Sequence, residues 1–182
     1  MPMPDDKTLL KQARQGSREA MQCLYEQYKA PLLTLANALL HDRDAAEDVV
    51  HDVFVGLARG LQDLRLRGSL KAYLGVSVCN RVRDHIRAKA RGRDNSDPIS
   101  VQDRVAESPD AVLAQQEREE QLRAALQGLP LEQREVLLLR VRMDMTFKEI
   151  ALHQGVSINT VQGRYRYGID RLRSLLGMEL RP

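Results

Sequence analysis

Between Thr146 and Arg166 the chain carries side chains suited to reading nucleic acid: Lys148, Ser157, Asn159, Thr160, Gln162, Arg164 and Arg166. Amides and hydroxyls can hydrogen-bond base edges, whereas guanidinium and ammonium groups attract phosphates whatever the sequence. Their spacing puts them in a defined frame. Thr146-Phe-Lys-Glu149 is a capping box, with a hydroxyl at the cap and a carboxylate three residues on. The helix it starts is short and ends near His153. Gly155 can take a left-handed turn without a side-chain clash, and Ser157 caps a second helix predicted from Ile158 to about Leu176, closed by Gly177. Helix, glycine turn, helix is the geometry that delivers a second helix to the major groove of DNA. Ala151 is small where the two helices must cross, and Ile150, Val156 and Val161 are expected to form the core that fixes the crossing. An ordinary hairpin with a solvated polar face gives no reason for the cap, the small residue and the glycine to agree in register. Gly163 inside the second helix costs about 1 kcal/mol against Ala. It either admits close backbone approach to DNA or is a weak point of the helix.

Charge is concentrated in two further places. A helix predicted from about Ala45 to Leu61 carries Glu47, Asp48 and Asp52, and acids near a helix N-terminus also suit its dipole. From Arg81 to Arg93 there are six basic residues and one acid, and from Gln162 to Arg173 four Arg and one Asp. Basic segments on helices are the footprint expected of phosphate contact, although either segment alone reads equally well as a solvated face. The net charge of +3 says less than this distribution. Catalytic patterns are missing. His41, His51, His85 and His153 sit on different elements, and there is no HExxH, glycine-rich phosphate loop or serine elbow. The acids of the third helix lack His partners for a metal. The chain is therefore expected to be no enzyme and to need no metal or cofactor. Cys23 and Cys79 share no CxxC spacing and are expected to pack as buried thiols. The first residues lack the basic and apolar regions of a signal peptide, and apolar stretches such as Val136 to Leu139 are too short to span a membrane. A cytoplasmic protein without membrane contact is expected.

The elements that must hold these residues are helices. With aromatics at 4% and no Trp, cores must be built from Leu, Val, Ile and Ala, and runs that favour strands are scarce. Asp5 can cap a first helix ending near Gln15, and Ser17 a second, which Pro31 either kinks or restarts. Ser69 can cap a fourth helix reaching about Ala90. Residues 91–107 have no helical period and read as a flexible linker. Ser108-Pro-Asp then opens a helix to Gln127, and Pro130 another to about Arg142. The expected fold is all-α: a helical domain over 1–90, the linker over 91–107, and a second helical domain over 108–182 with the helix-turn-helix.

On these residues a family resemblance can be recognised. The segment Leu129-Pro-Leu-Glu-Gln-Arg-Glu-Val-Leu-Leu-Leu-Arg140 resembles the bacterial sigma-factor signature LP..QREV..LR. Phe147-Lys-Glu-Ile-Ala151 and Val156-Ser-Ile-Asn-Thr-Val161 follow at the expected distance. Asp44-Ala-Ala-Glu-Asp-Val-Val-His-Asp-Val-Phe54 resembles the DAEDVVQEVF helix of the same family, and Tyr73-Leu74, Asn80, Asp84 and Arg87 match WL.....N...D..R in spacing. The two blocks occur in the family's order, and the short form is similar to the extracytoplasmic-function (ECF) group. The resemblance implies a factor without catalysis of its own that binds core RNA polymerase, recognises two promoter elements and helps melt the downstream one. It implies a frequent anti-sigma partner. It also implies roles: Asp44, Glu47, Asp48, His51 and Asp52 on the polymerase clamp; Arg65, Arg67, Tyr73, Asn80, Arg81, Arg83 and Arg87 at the downstream element; and the polar set of Lys148 to Arg166 at the upstream one. A stand-alone helix-turn-helix regulator with a sensing or dimerising N-terminal half is the alternative, and it predicts operator binding without polymerase. Departures from the family pattern are His51-Asp52 for Gln-Glu, Tyr73 for Trp, and Gly75, Val76 and Cys79 for aromatic or basic residues. In the last helix Gln162-Gly163 replaces Lys-Ser, Tyr165 replaces Leu and Gly168 replaces Ala, changes expected on or beside the reading face.

Overall fold

The computed structural model describes residues 5–66, 68–92 and 109–177, the side chains of 109–116 excepted. Of the expected linker only Arg91 and Gly92 fall within this range; 93–107, and with them Arg93, lie outside the described residues, as does Arg67. Among the described residues there are eight helices and no strand: α1 (Asp6–Arg14), α2 (Arg18–Leu40), α3 (Arg43–Gly60), α4 (Leu70–Arg91), α5 (Pro109–Gln127), α6 (Leu131–Arg142), α7 (Phe147–Gln154) and α8 (Ile158–Leu175).

Caps set most of the starts. Ser17, Asp42 and Ser69 accept hydrogen bonds from the backbone N–H groups of Ala20, Ala45 and Ala72 at 3.0–3.1 Å, satisfying donors that a first helical turn leaves open. Asp5 has the extended backbone of a cap, but its side chain makes no capping bond. Its neighbour Asp6 ties α1 to α2 instead, accepting from the Tyr28 hydroxyl at 2.6 Å. Pro31 neither ends nor restarts α2, which continues through it. The lost bond is offset by packing, because Leu32, Leu35 and Ala36 just beyond it are fully buried. Helices α1–α4 form a bundle around Leu9, Leu24, Leu32, Leu35, Leu57, Leu70, Leu74 and Val78.

Helix α6 is the hub of the C-terminal half. Six consecutive residues, Arg134 to Leu139, are buried, and a helix can be covered on every side only if neighbours surround it. Helix α8 crosses it at Gly168, where a Cβ would lie 2.9 Å from Leu137 Cδ1. The glycine at 168 is thus a packing requirement on the buried side of α8, not a change on its reading face. On another side α6 meets α2 and α4. There a Cβ on Gly75 would come within 2.7 Å of Met143 Cγ. The two halves consequently share one continuous core, in which Val136, Leu139, Met143 and Met145 join Val78, Cys79 and Val82. Cys79 is buried as expected, whereas Cys23 is only half-buried.

Loss of the α7 cap isolates the value of the capping box. Thr146→Ala is expected to lower unfolding stability by about 1 kcal/mol, read as a drop in the urea midpoint at unchanged slope. An unchanged midpoint would show that packing against α6 alone holds the turn.

Candidate nucleic-acid interface

The turn between α7 and α8 is built as its residues require. Thr146 Oγ1 accepts from the Glu149 backbone N–H at 3.2 Å, and the Glu149 carboxylate accepts from the Thr146 N–H at 2.7 Å. The Thr146 N–H and the Thr146 hydroxyl, both donating to the charged carboxylate, hold the Glu149 carboxyl below its ordinary range. Gly155 has φ +66°, the left-handed conformation that closes α7, and the Val156 N–H donates back to the Ala151 carbonyl at 3.1 Å. Ser157 then accepts from the Thr160 N–H at 3.1 Å. Ile150, Ala151 and Val161 are buried at the crossing and Val156 packs against them. Phe147 and Tyr165 meet edge to face at 5.3 Å, with the Arg140 guanidinium over the Phe147 ring. Tyr165 therefore braces the two helices against each other.

This frame leaves Lys148, Ser157, Asn159, Thr160, Gln162 and Arg166 exposed along the outer side of α7 and α8. The Ser157 and Thr160 hydroxyls lie 2.9 Å apart at the α8 cap and the Arg166 guanidinium lies over the Tyr167 ring, all of them on the solvent side where a groove can be met. Arg164 differs, because it is half-buried and donates to Gln154 Oε1 at 2.7 Å. Among the described residues nothing demands glycine at 163, where an added Cβ would meet Tyr167 Cε2 at 4.0 Å and no other heavy atom within that distance.

The N-terminal half presents two faces of opposite sign. On α3, Asp44, Glu47, Asp48, His51 and Asp52 are all exposed. Glu47, Asp48 and His51 rim a shallow hollow that Tyr25, Lys29, Leu33 and Val50 complete. On α4, Tyr73, Asn80, Arg81 and Arg87 are exposed, and Arg65 is exposed in the preceding loop. Arg81 lies 4.0 Å from Asp52 and Arg87 3.6 Å from Asp84, both as solvated pairs. Arg83 leaves this set. It turns toward the C-terminal half and grips Glu135 with two guanidinium nitrogens, the Nε donor lying 2.8 Å from Oε1.

Sequence reasoning passed over Arg134 and Glu135, which are the most heavily partnered charges of the molecule's centre. Glu135 is fully buried and also accepts from Gln154 Nε2 at 3.1 Å. Burial pushes its carboxyl up, while the bonds from Arg83 and Gln154 pull it back. Arg134 donates to the carbonyls of Leu39, Gln127 and Leu129 at 3.0–3.1 Å, setting a cation on the C-terminal ends of α2 and α5 where helix dipoles favour one. Its Nη1 also lies 3.4 Å from His41 Nδ1. The one sequence signal was an Arg-Glu pair running directly into Val-Leu-Leu-Leu, charges in a helix with no polar face.

A two-domain helical protein with an outward-facing helix-turn-helix and an acidic helix on the other domain is a DNA-binding protein built to meet a second partner. Sigma-70 region 2 matches residues 24–92, and Sigma-70 region 4 matches residues 119–172. The chain is 30% identical to the ECF RNA polymerase sigma factor SigK of Mycolicibacterium vanbaalenii, over 93% of this chain and 88% of that one. It is 25% identical to the RNA polymerase sigma-H factor of Pseudomonas aeruginosa, over 97% and 94% of the two chains. CnrH, solved in complex with the cytosolic domain of CnrY, has the same fold with a TM-score of 0.69 at 24% identity, covering 96% of this chain and 98% of its own. The chain belongs to the ECF group of the sigma-70 family, the initiation factors that bind RNA polymerase and direct it to promoters. Both regions on one chain set it apart from a stand-alone helix-turn-helix regulator.

Two half-buried histidines give this centre a pH dependence. Burial and the Arg134 charge depress His41 to about 4, and burial with the Arg83 charge depresses His153 to about 4. Unfolded, each titrates near 6.5, so between those values the unfolded chain binds more protons and stability rises with pH. The contribution is fully present above about pH 6.5 and is lost progressively as pH falls toward 4. After allowance for solvent screening it is about 1 kcal/mol for each group. Urea unfolding at pH 7 and pH 5 is expected to show a lower midpoint at pH 5, and a smaller drop in His41→Asn. An equal drop in that variant would remove His41 from the account.

Proposed function

We propose that the sigma activity is divided among three faces of this chain. The acidic face of α3, with Asp44, Glu47, Asp48, His51 and Asp52, docks on a basic surface of core polymerase. The exposed residues of α4, Tyr73, Asn80, Arg81 and Arg87, with Arg65, Arg67 and, once free of Glu135, Arg83, engage the downstream promoter element. Lys148, Ser157, Asn159, Thr160, Gln162, Arg164 and Arg166 engage the upstream one. The observation that carries this reading is the separation of charge: five exposed acid or histidine side chains on one face of α3, and a row of amides, hydroxyls and cations on the helix-turn-helix that is exposed except at the half-buried Arg164. Residues 1–90 and 108–182 are the two working domains and 91–107 their connector. The protein acts in the cytoplasm without catalysis of its own. An anti-sigma partner belongs to the same proposal, supported by the sigma factor RpoE of Bartonella quintana, which shares this fold and was solved in complex with the anti-sigma factor NepR.

Reversing charge on α3 tests the first face. Asp48→Lys with Asp52→Lys is expected to weaken core-polymerase binding about a hundredfold or more, because like charges then meet across the interface, while circular dichroism stays unchanged. Pull-down of core polymerase at the wild-type level would remove α3 from the docking surface. Amides and cations on α8 are expected to fail differently. Arg166→Ala should weaken holoenzyme binding to every promoter and reduce the salt slope by about one. Gln162→Ala should change the ranking of upstream-element variants, at a cost of roughly 1–3 kcal/mol at one base pair if its contact is bidentate. The measurement is holoenzyme affinity over a promoter panel at two salt concentrations. An unchanged ranking would leave shape as the feature read by this helix.

A further inference from the structure

Helix α1 ends against the loop that carries Arg65. The Arg14 guanidinium, in the last turn of α1, donates from Nε to the Leu61 carbonyl at 3.0 Å and from Nη2 to the Leu64 carbonyl. The loop returns the contact, because Gln62 Nε2 donates to the Arg14 carbonyl at 2.8 Å. These three bonds join residues 47, 50 and 48 positions apart. Helix α1 is itself fixed at its other end, where Asp6 accepts from the Tyr28 hydroxyl and from Gln27 Nε2. Leu9, Leu10 and Ala13 are buried between the two ends. The helix thus acts as a strut between α2 and the loop after α3.

Capping of α3 accounts for the first Arg14 bond, since Leu61 closes that helix and a cation suits its carbonyl end. It does not account for the second. The Leu64 carbonyl belongs to the peptide that leads directly into Arg65. Leu64 and Leu66 pack against the core on either side, while Arg65 between them is exposed. Two leucines therefore hold the loop from beneath, and Arg14 fixes the peptide plane ahead of the one side chain that points outward. A cation that merely attracts phosphate needs no such hold, because its charge acts from a mobile side chain almost as well. A contact to a base edge needs its donors held in place. Arg14 lies outside residues 24–92, which carry the region 2 match.

We propose that Arg14 is a positioning residue for promoter selectivity: it clamps the loop after α3 so that Arg65 meets one base of the downstream element in a fixed orientation. The proposal rests on the reading of Arg65 as a contact to that element. Arg14 itself does not touch DNA, and its two bonded nitrogens are committed to the loop.

Holoenzyme assembled from core polymerase and the full-length chain is titrated with promoters varied one base at a time across both elements. Arg65→Ala is expected to lower discrimination at one downstream position by about fivefold or more, the lower end of what a lost base contact costs. Arg14→Ala is expected to lower discrimination at the same position by a comparable factor. Core binding and the ranking of upstream variants should stay as in the wild type. The double variant should discriminate no worse than Arg65→Ala alone, because one residue acts through the other. Arg14→Lys keeps a cation at the end of α3 but cannot fork across two carbonyls. It is expected to lose the same discrimination at an unchanged urea midpoint, which keeps the test decisive if the Ala variant fails to fold. Wild-type discrimination in either Arg14 variant, with Arg65→Ala impaired, would overturn the clamp and leave Arg65 as a contact. Losses that add in the double variant would also overturn it, since Arg14 would then act independently of Arg65. So would an equal loss at upstream positions, the mark of a general defect. Unchanged discrimination in Arg65→Ala would instead sink the reading of Arg65, and the clamp with it.

Discussion

A carboxylate with no access to water must find cations or donors close at hand, and Glu135 sets that requirement at the centre of this protein. Leaving a buried charge unpaired costs several kcal/mol, so Arg83 and Gln154 are drawn to it from helices on either side. Next to it Arg134 presents the complementary requirement. Its guanidinium needs acceptors, and it finds them on the exposed carbonyl ends of α2 and α5. Two adjacent residues of one helix thereby specify where four other helices must lie. Hydrophobic burial supplies the drive for α6 to be surrounded, but it has no direction. The directed bonds of the Arg134–Glu135 pair choose one arrangement among those that would cover the same apolar surface.

Close approach makes those bonds reachable. Gly75 and Gly168 are both sites where a methyl group would overlap a neighbour, Met143 in one case and Leu137 in the other. Between them they let α6 lie against α4 on one side and α8 on the other. Ala151 is small and buried where α7 meets α8. The pattern explains why a chain poor in aromatics packs well: small residues at crossings and Leu between them fill the space that larger rings would otherwise occupy.

The surfaces left over are sorted by charge. Acids gather on the outer face of α3, cations on α4, and mixed hydrogen-bonding groups on α8. Each helix buries its apolar stripe and turns the remaining residues outward, so the same amphipathic pattern that builds the core also displays the interaction faces. Arg83 and Arg164 are the exceptions. They lie on the predicted DNA-facing helices, yet both are drawn inward by the polar network around Glu135.

By itself the sequence determined the local architecture. The capping box at Thr146, the left-handed Gly155, the caps Ser17, Ser69 and Ser157 and the apolar spacing of each helix are all short-range features, decided by residues within a turn or two of one another. The exposed sets on α3 and α8 followed from the same periodicity, because a helix whose buried stripe is known has a known outer face. Asp5 was misjudged because a second acid one residue on was drawn to Tyr28, a contact made across 22 positions. The continuity of α2 through Pro31 was equally undecidable locally, since burial against other helices offsets the lost bond. What only the tertiary structure decided was which charges stay free. Arg83 and Arg87 are alike in sequence, four residues apart on one helix, and differ because Glu135 arrives from 52 positions away to take one and not the other. Such pairing depends on how two domains meet, and no periodicity within either one encodes it.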